Sequence, residues 1–167
     1  LRKLTIDHYN QVWETDITYI PMKHGFMYLT AVIDVYSRFV LNWGISNTME
    51  AQWCKEVMAE AIRKYGKPEI VNTDQGSQFT SKEFTAFLTN EENQIMVSMD
   101  GRGRATDNIY IERLWRSLKQ ENIYPKVYET GSDLYNGVNA YFHYYNTQRP
   151  HQSLDYQQPE KIYKRVG

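Results

Sequence analysis

Three acidic residues in different local settings carry the strongest chemical signal in this 167-residue chain: Asp16 in Trp13-Glu14-Thr15-Asp16-Ile17-Thr18-Tyr19, Asp74 in Asn72-Thr73-Asp74-Gln75-Gly76-Ser77, and Glu112 in Ile109-Tyr110-Ile111-Glu112-Arg113. Carboxylates are hard oxygen ligands that suit magnesium. Paired magnesium ions acting on a phosphodiester need such ligands converging from separate elements, because each ion keeps waters and the phosphate must bridge both. Three carboxylates brought together repel, and one tends to keep its proton unless a divalent cation neutralises the group. A triad scattered over about a hundred residues meets these requirements only if folding gathers it.

The elements that must do the gathering can be read along the chain. Residues 12–20 mix β-branched and aromatic side chains in a strand that stops at Pro21 and carries Asp16 in its middle. Aspartate is disfavoured inside strands, so its place there calls for a partner. Residues 26–35 and 38–45 read as two further strands, giving a three-stranded antiparallel meander. Asn47 with Glu50 signals a helix start, Trp53, Val57, Ala61 and Tyr65 recur at helical spacing, and Gly66 with Pro68 ends the element. Residues 69–73 form a brief strand that delivers Asp74 at its C-terminal end, where open α/β sheets present ligands. Gly76 is expected to supply positive φ in the turn that follows, with Ser77 and Gln78 hydrogen-bonding the turn or a substrate phosphate.

Thr80 and Glu83 suggest a capping box for a helix to about Leu88, and residues 95–98 a fifth strand. A glycine-rich and arginine-rich loop over 99–106 precedes a helix capped by Thr106 or Asp107 and running to about Asn122. Another helix spans roughly 132–146, and Pro159 suits the first turn of a last short one. Strands followed by helices interleaved with two more strands indicate an α/β sheet covered on both faces. Asp34 after Ala31-Val32-Ile33 is assigned to structure, with Arg38 as its ion-pair partner.

Bulk properties narrow the classes. The length suits one domain, 1–167, able to bury roughly 70% of its unfolded surface. Nineteen basic against 20 acidic residues make nucleic-acid binding unreadable from net charge, so any DNA contact must be local. The single cysteine, Cys54, rules out an internal disulfide framework and reads as a packed small hydrophobe. No apolar run long enough for a membrane span and no secretory leader is present, which fits a reducing cytoplasm. A start at Leu1 rather than methionine leads us to expect a fragment whose N-terminal portion is absent.

Charge is concentrated where the candidate chemistry is. Between Arg102 and Lys119 stand five basic residues, Arg102, Arg104, Arg113, Arg116 and Lys119, against two acidic ones. On a helix Glu112, Arg116 and Lys119 share one face, while Ile111, Leu114, Trp115 and Leu118 form the face that docks on the core. Basic side chains there can hold phosphates in register while glycines let backbone approach a duplex.

These motifs, taken in order, resemble the catalytic core of insertion-sequence family three transposases, relatives of retroviral integrases with a ribonuclease-H-like fold. The matching pieces are Trp13-x-x-Asp16-Ile17-Thr18-Tyr19, Ile33-Asp34-x-Tyr36-Ser37-Arg38, Thr73-Asp74-x-Gly76-Ser77-Gln78-Phe79, Ser98-Met99-Asp100-Gly101-x-Gly103, and Asp107-Asn108 through Glu112. Lys119 and Tyr145-Asn146-x-x-Arg149-Pro150-His151-x-x-Leu154 complete the set. The resemblance implies a five-stranded mixed sheet, with Asp16 on its central strand, Asp74 after the adjacent fourth strand and Glu112 on the following helix. It implies metal-dependent (DDE) catalysis by these three residues with Mg2+, for which Mn2+ substitutes, and two ions when DNA is bound. It further implies cleavage at transposon ends, strand transfer by the freed 3′ hydroxyl, and a homo-oligomer on double-stranded DNA in a bacterial cytoplasm.

Lys119 then contacts transposon-end DNA, with Arg116, Arg113, Arg102, Arg104 and Arg149 as further DNA-binding candidates, and His151 and His143 are structural or DNA-contacting rather than catalytic. The 37 residues between Asp74 and Glu112 are about two more than such proteins usually show, and the surplus falls in Thr89 to Gln94. Two alternatives share many of these features: a nuclease of the same fold that only hydrolyses, and a non-catalytic DNA-binding assembly module whose carboxylates survive as ion pairs.

Overall fold

The structure, a computed structural model, describes residues 4–99 and 108–163. Strands β1 (Val12–Pro21), β2 (Phe26–Asp34) and β3 (Val40–Ser46) form the expected antiparallel meander, and β4 (Ile70–Thr73) and β5 (Met96–Met99) extend the sheet in the order β3-β2-β1-β4-β5. β4 runs parallel to β1, and β5 parallel to β4. β1 is therefore central, with Asp16 opposite Ala31 of β2.

Helices cover both faces. On one lie α1 (Ala51–Tyr65), the single turn α2 (Ser77–Thr80) and α3 (Lys82–Thr89), which bury Met58, Ala61, Phe79, Phe84 and Leu88 around Trp13 and Val71. Cys54 is in this core, and burial pushes its thiol up to about 12. On the other face lie α4 (Ile109–Leu118) and, beyond a short α5 (Tyr124–Lys126), α6 (Gly131–Thr147). α7 (Pro159–Tyr163) returns to the first face through Tyr163, whose ring stacks on Phe39. The apolar stripe of α4 is the one its spacing predicts, Ile111, Leu114, Trp115 and Leu118, all buried. Each such side chain stabilises the fold by roughly 1.5–3 kcal/mol relative to exposure. Among the described residues no helix is long and apolar enough to cross a membrane.

Several local expectations need correction. β3 begins at Val40, because Asp34 holds residues 37 and 38 in a turn: its carboxylate accepts from Asn10 N, Ser37 N and Ser37 Oγ at 2.8, 2.9 and 2.6 Å. Asp34 is structural as expected, but hydrogen bonds rather than an ion pair with Arg38 satisfy it. Burial raises its pKa, and the Ser37 and Asn10 donors oppose that. α1 starts after Glu50 rather than at Asn47, since Ser46 Oγ accepts the Thr48 N–H and bends the chain first. Ser81, not Thr80, caps α3 by accepting the Phe84 N–H at 3.2 Å, while the Thr80 hydroxyl donates back to Gly76 O within the preceding turn.

α4 does not run on as α-helix to Asn122. Residues Lys119–Ile123 widen into a π-helical turn, where Glu121 accepts from the Tyr141 hydroxyl at 2.9 Å. The extra residues after Thr89 make a tight turn closed by Gln94 N donating to Asn90 O, so α3 itself is not lengthened. Thr106 and Asp107, the expected caps of α4, lie outside the described residues.

Candidate active site

Side chains alternate along β1, so Glu14, Asp16 and Thr18 share the face that α4 covers. Each meets a residue on the helix at steps of four. Glu14 Oε2 accepts the Ile111 N–H at 2.9 Å, Asp16 Oδ2 accepts the Trp115 indole N–H at 3.1 Å, and Lys119 Nζ donates to Thr18 Oγ1 at 2.7 Å. Two strand residues advance about 6.6 Å and four helical residues about 6.0 Å, so strand and helix keep step over this length. The register therefore sets which α4 residues flank Asp16.

β4, lying beside β1, ends at Thr73 and places Asp74 beside Asp16, near enough for its charge to act on that carboxyl group. Burial raises the pKa of Asp16 to about 7, the negative charge of Asp74 adds to the rise, and the Trp115 indole and the Ile17 backbone oppose it. Below that pH Asp16 keeps its proton. An unfolded chain releases this proton near the ordinary aspartate value of 3.8, whereas the folded chain keeps it to about 7. Asp16 thus lowers stability progressively as pH rises from about 4 to about 7, and the loss is complete above that. In chelator-treated protein, the melting temperature of wild type minus that of Asp16→Asn should fall across this window. A flat difference would mean that Asp16 titrates normally.

Asp74 is held by an Asx turn in which its Oδ1 accepts the Gly76 N–H at 2.8 Å. The expected positive φ at Gly76 is absent: its φ is −61° and its ψ 147°. Space matters there instead, since a Cβ would stand 2.9 Å from Asp74 Oδ1 and would push that carboxylate out of its turn. Gln78 turns its amide to Met49 O at 3.4 Å.

The structure brings together two of the three candidate carboxylates. Glu112 is exposed on α4, and among the described residues no three His, Cys, Asp or Glu side chains stand close enough to hold one metal ion. With about 100° of rotation per residue, Glu112 lies roughly 60° and Lys119 roughly 40° from Trp115, so both occupy the flank of α4 nearest Asp16. Lys119 is half-buried, and desolvation lowers its pKa while Asp16 opposes the fall. Arg113 and Arg116 are exposed on the same helix, and Arg149 pairs with Glu121 at 3.0 Å. Arg102 and Arg104 lie outside the described residues. His151 is buried against Tyr145, its Nε2 3.2 Å from Tyr145 O.

Sequence reading missed Glu14, the Trp115 indole as a donor to the Asp16 carboxylate, and Asn108. Buried Asn108 accepts from Asn72 Nδ2 on β4 and donates to Thr15 O on β1, tying the start of α4 to both carboxylate-bearing strands. A buried glutamate inside an apolar strand was the one available signal for Glu14.

Residues 7–105 match a family model described as integrase core domain, and residues 93–159 match a second model of the same description. The chain is 37% identical over 158 residues to the transposase for insertion sequence element IS904 of Lactococcus lactis subsp. lactis (strain IL1403), covering 93% of this chain and 62% of that protein. It is also 37% identical over 117 residues to transposase InsF for insertion sequence IS3A of Escherichia coli (strain K12), covering 69% and 40%. The chain thus spans 40% to 62% of the length of these relatives. Among solved structures it superposes on the HTLV-2 integrase catalytic core domain in complex with magnesium, in its dimeric form, with TM-score 0.71 at 22% identity, covering 93% of this chain and 97% of that one. A simian T-cell lymphotropic virus intasome in complex with PP2A regulatory subunit B56 gamma gives TM-score 0.75 at 18% identity, covering 96% and 57%. The fold is that of these cores, ribonuclease-H-like.

Proposed function

We propose that this chain, which belongs to the integrase core domain family, is the catalytic core of an insertion-sequence family three transposase: a divalent-metal-dependent polynucleotidyl transferase that cleaves at transposon ends and joins the freed 3′ hydroxyl to target DNA. The observation that carries the reading is the meeting of Asp16 and Asp74 from adjacent strands, with α4 registered beside them. Two hard oxygen donors side by side, which repel when both are charged, suit a divalent cation.

Asp16, Asp74 and Glu112 would hold Mg2+, or Mn2+ in its place, with two ions when DNA is bound. Such ions supply polarisation of the phosphodiester and activation of the attacking oxygen. Asp16 would hold the ion through its carboxylate, with the Trp115 indole N–H orienting that group. Lys119, Arg116, Arg113, Arg102, Arg104 and Arg149 hold phosphates of double-stranded DNA, and the core works as a homo-oligomer in the bacterial cytoplasm.

The test is to incubate the purified chain with Mn2+ or Mg2+ and a labelled duplex bearing a precut transposon end. Covalently joined strands are expected. Hydrolysis without joining would favour the nuclease alternative, and DNA binding without metal-dependent chemistry the assembly module.

A further inference from the structure

A cleft of about 600 Å³ opens between α4, the β2–β3 turn and the segment after α6, with Arg38, Arg113, Arg116 and Arg149 around it beside Tyr110 and Tyr145. We propose that this cleft is a phosphate-binding site for the DNA backbone, separate from the carboxylate pair, in which Arg38 is the central ligand. The proposal rests on the reading of the chain as a DNA-processing core, and adds a site and a residue to it.

Four guanidinium groups converge with little negative charge to balance them. Glu121 is committed to Arg149 and to the Tyr141 hydroxyl. Among the described residues Arg38, Arg113 and Arg116 make no ion pair with a carboxylate. Arg38 is half-buried, which disfavours its charge, and Arg113 adds repulsion, although Tyr110, Tyr145 and Glu14 offset part of this. An anion in the cleft relieves that repulsion.

The arginines are also prepared for an anion. Arg38 has its backbone at φ 65°, in the turn that Asp34 holds. Its guanidinium lies 4.1 Å from the centre of the Tyr110 ring and donates to Val35 O and Tyr36 O through Nη1. Arg113 approaches the same ring at 5.9 Å, and Arg149 the Tyr145 ring at 5.9 Å. Stacking fixes a guanidinium plane without consuming its N–H donors, so the other edge of the fork can meet phosphate oxygens.

Placement favours a polymer's phosphate over a free ion. Taking Trp115 as the origin, Arg113, Ser117 and Tyr110 fall at roughly 160°, 200° and 220° around α4, on the side away from Asp16, with Arg116 between at roughly 100°. A strand crossing α4 from the carboxylate pair over Arg116 arrives at the cleft. Its occupant is therefore a phosphodiester displaced along the DNA from the reacting one.

The test uses the full 167-residue chain in chelator, so that metal chemistry plays no part. Arginine Nε–Hε resonances are followed by NMR during titration with a short duplex and, separately, with inorganic phosphate. The duplex should shift the Arg38 and Arg113 signals at concentrations at least tenfold below those inorganic phosphate needs. Arg113→Glu, at an exposed position that leaves the core intact, should weaken duplex binding tenfold or more and lower the slope of log K against log salt by about 0.9 for each phosphate no longer neutralised. Arg38→Lys keeps the charge but not the fork and should weaken binding too.

Unchanged affinity and slope in Arg113→Glu would overturn the proposal, as would arginine signals that answer inorganic phosphate as readily as duplex. Wild-type protein that binds duplex through these arginines yet joins no DNA ends with Mn2+ would support the cleft and sink the catalytic reading, so the two fail separately.

Discussion

Asp16→Asn should abolish Mg2+-dependent joining of a precut DNA end, by roughly a thousandfold or more, while leaving the protein folded and, above pH 7, more stable than wild type. The activity loss follows from removing an oxygen donor from the proposed cation site. Several kcal/mol of transition-state stabilisation depend on such ligation, and each 1.36 kcal/mol is about tenfold in rate. The stability gain follows from the raised pKa: above about pH 7 the folded wild type carries a half-buried carboxylate beside Asp74, and an amide removes that charge. Hydrogen-bonding capacity toward the Trp115 indole survives in the amide oxygen.

A structural role alone would lower both quantities together, so opposite movement of activity and melting temperature is the signature. Asp74→Asn should act alike on joining. Glu112→Gln should abolish joining with little change in stability, since Glu112 is exposed and outside the half-buried pair. Near-normal joining by Glu112→Gln would remove it from the proposed ligand set.

Glu14→Ala should destabilise the fold by roughly 2–4 kcal/mol, because it removes a charge-assisted acceptor and leaves the Ile111 N–H buried without that partner. Glu14 is only 1% exposed, so water cannot replace it. The first turn of α4 has no side-chain cap from Asn108, and the carboxylate from β1 takes that part. For a chain of this size the loss corresponds to a fall in melting temperature of roughly 5–15 °C.

Glu14→Gln retains an acceptor oxygen and should recover most of the difference. Chemical and thermal unfolding of the three proteins decides the matter, and a change below about 0.5 kcal/mol for Glu14→Ala would place it with ordinary surface substitutions. Joining activity should fall in Glu14→Ala even at temperatures where the protein stays folded, since α4 carries Glu112 one residue after the anchored N–H.

What the sequence by itself determined was whatever contiguous residues can decide. β-Branched and aromatic runs marked β1 and β2, the spacing of Ile111, Leu114, Trp115 and Leu118 marked the buried stripe of α4, and Asp74 was placed after a strand by its turn residues. Propensity, periodicity and turn chemistry act over a few neighbours, so they are written locally. Cap positions were less legible, because Ser81 and Thr80 are equally good candidates until the backbone chooses which hydroxyl faces the free N–H groups.

Only the tertiary structure decided the partners. That Glu14 serves Ile111, that the Trp115 indole meets Asp16, and that Asp74 comes to lie beside Asp16 all depend on how β1, β4 and α4 lie against one another. The same holds for Gly76, whose reason is a carboxylate in its way rather than an unusual φ, and for the cleft that joins Arg38 to residues more than a hundred positions later. Contacts between distant segments are set by strand order and by the register of helix on sheet, and a one-residue slip in either turns every side chain to the wrong face. No local pattern records that choice, and packing of the whole core makes it.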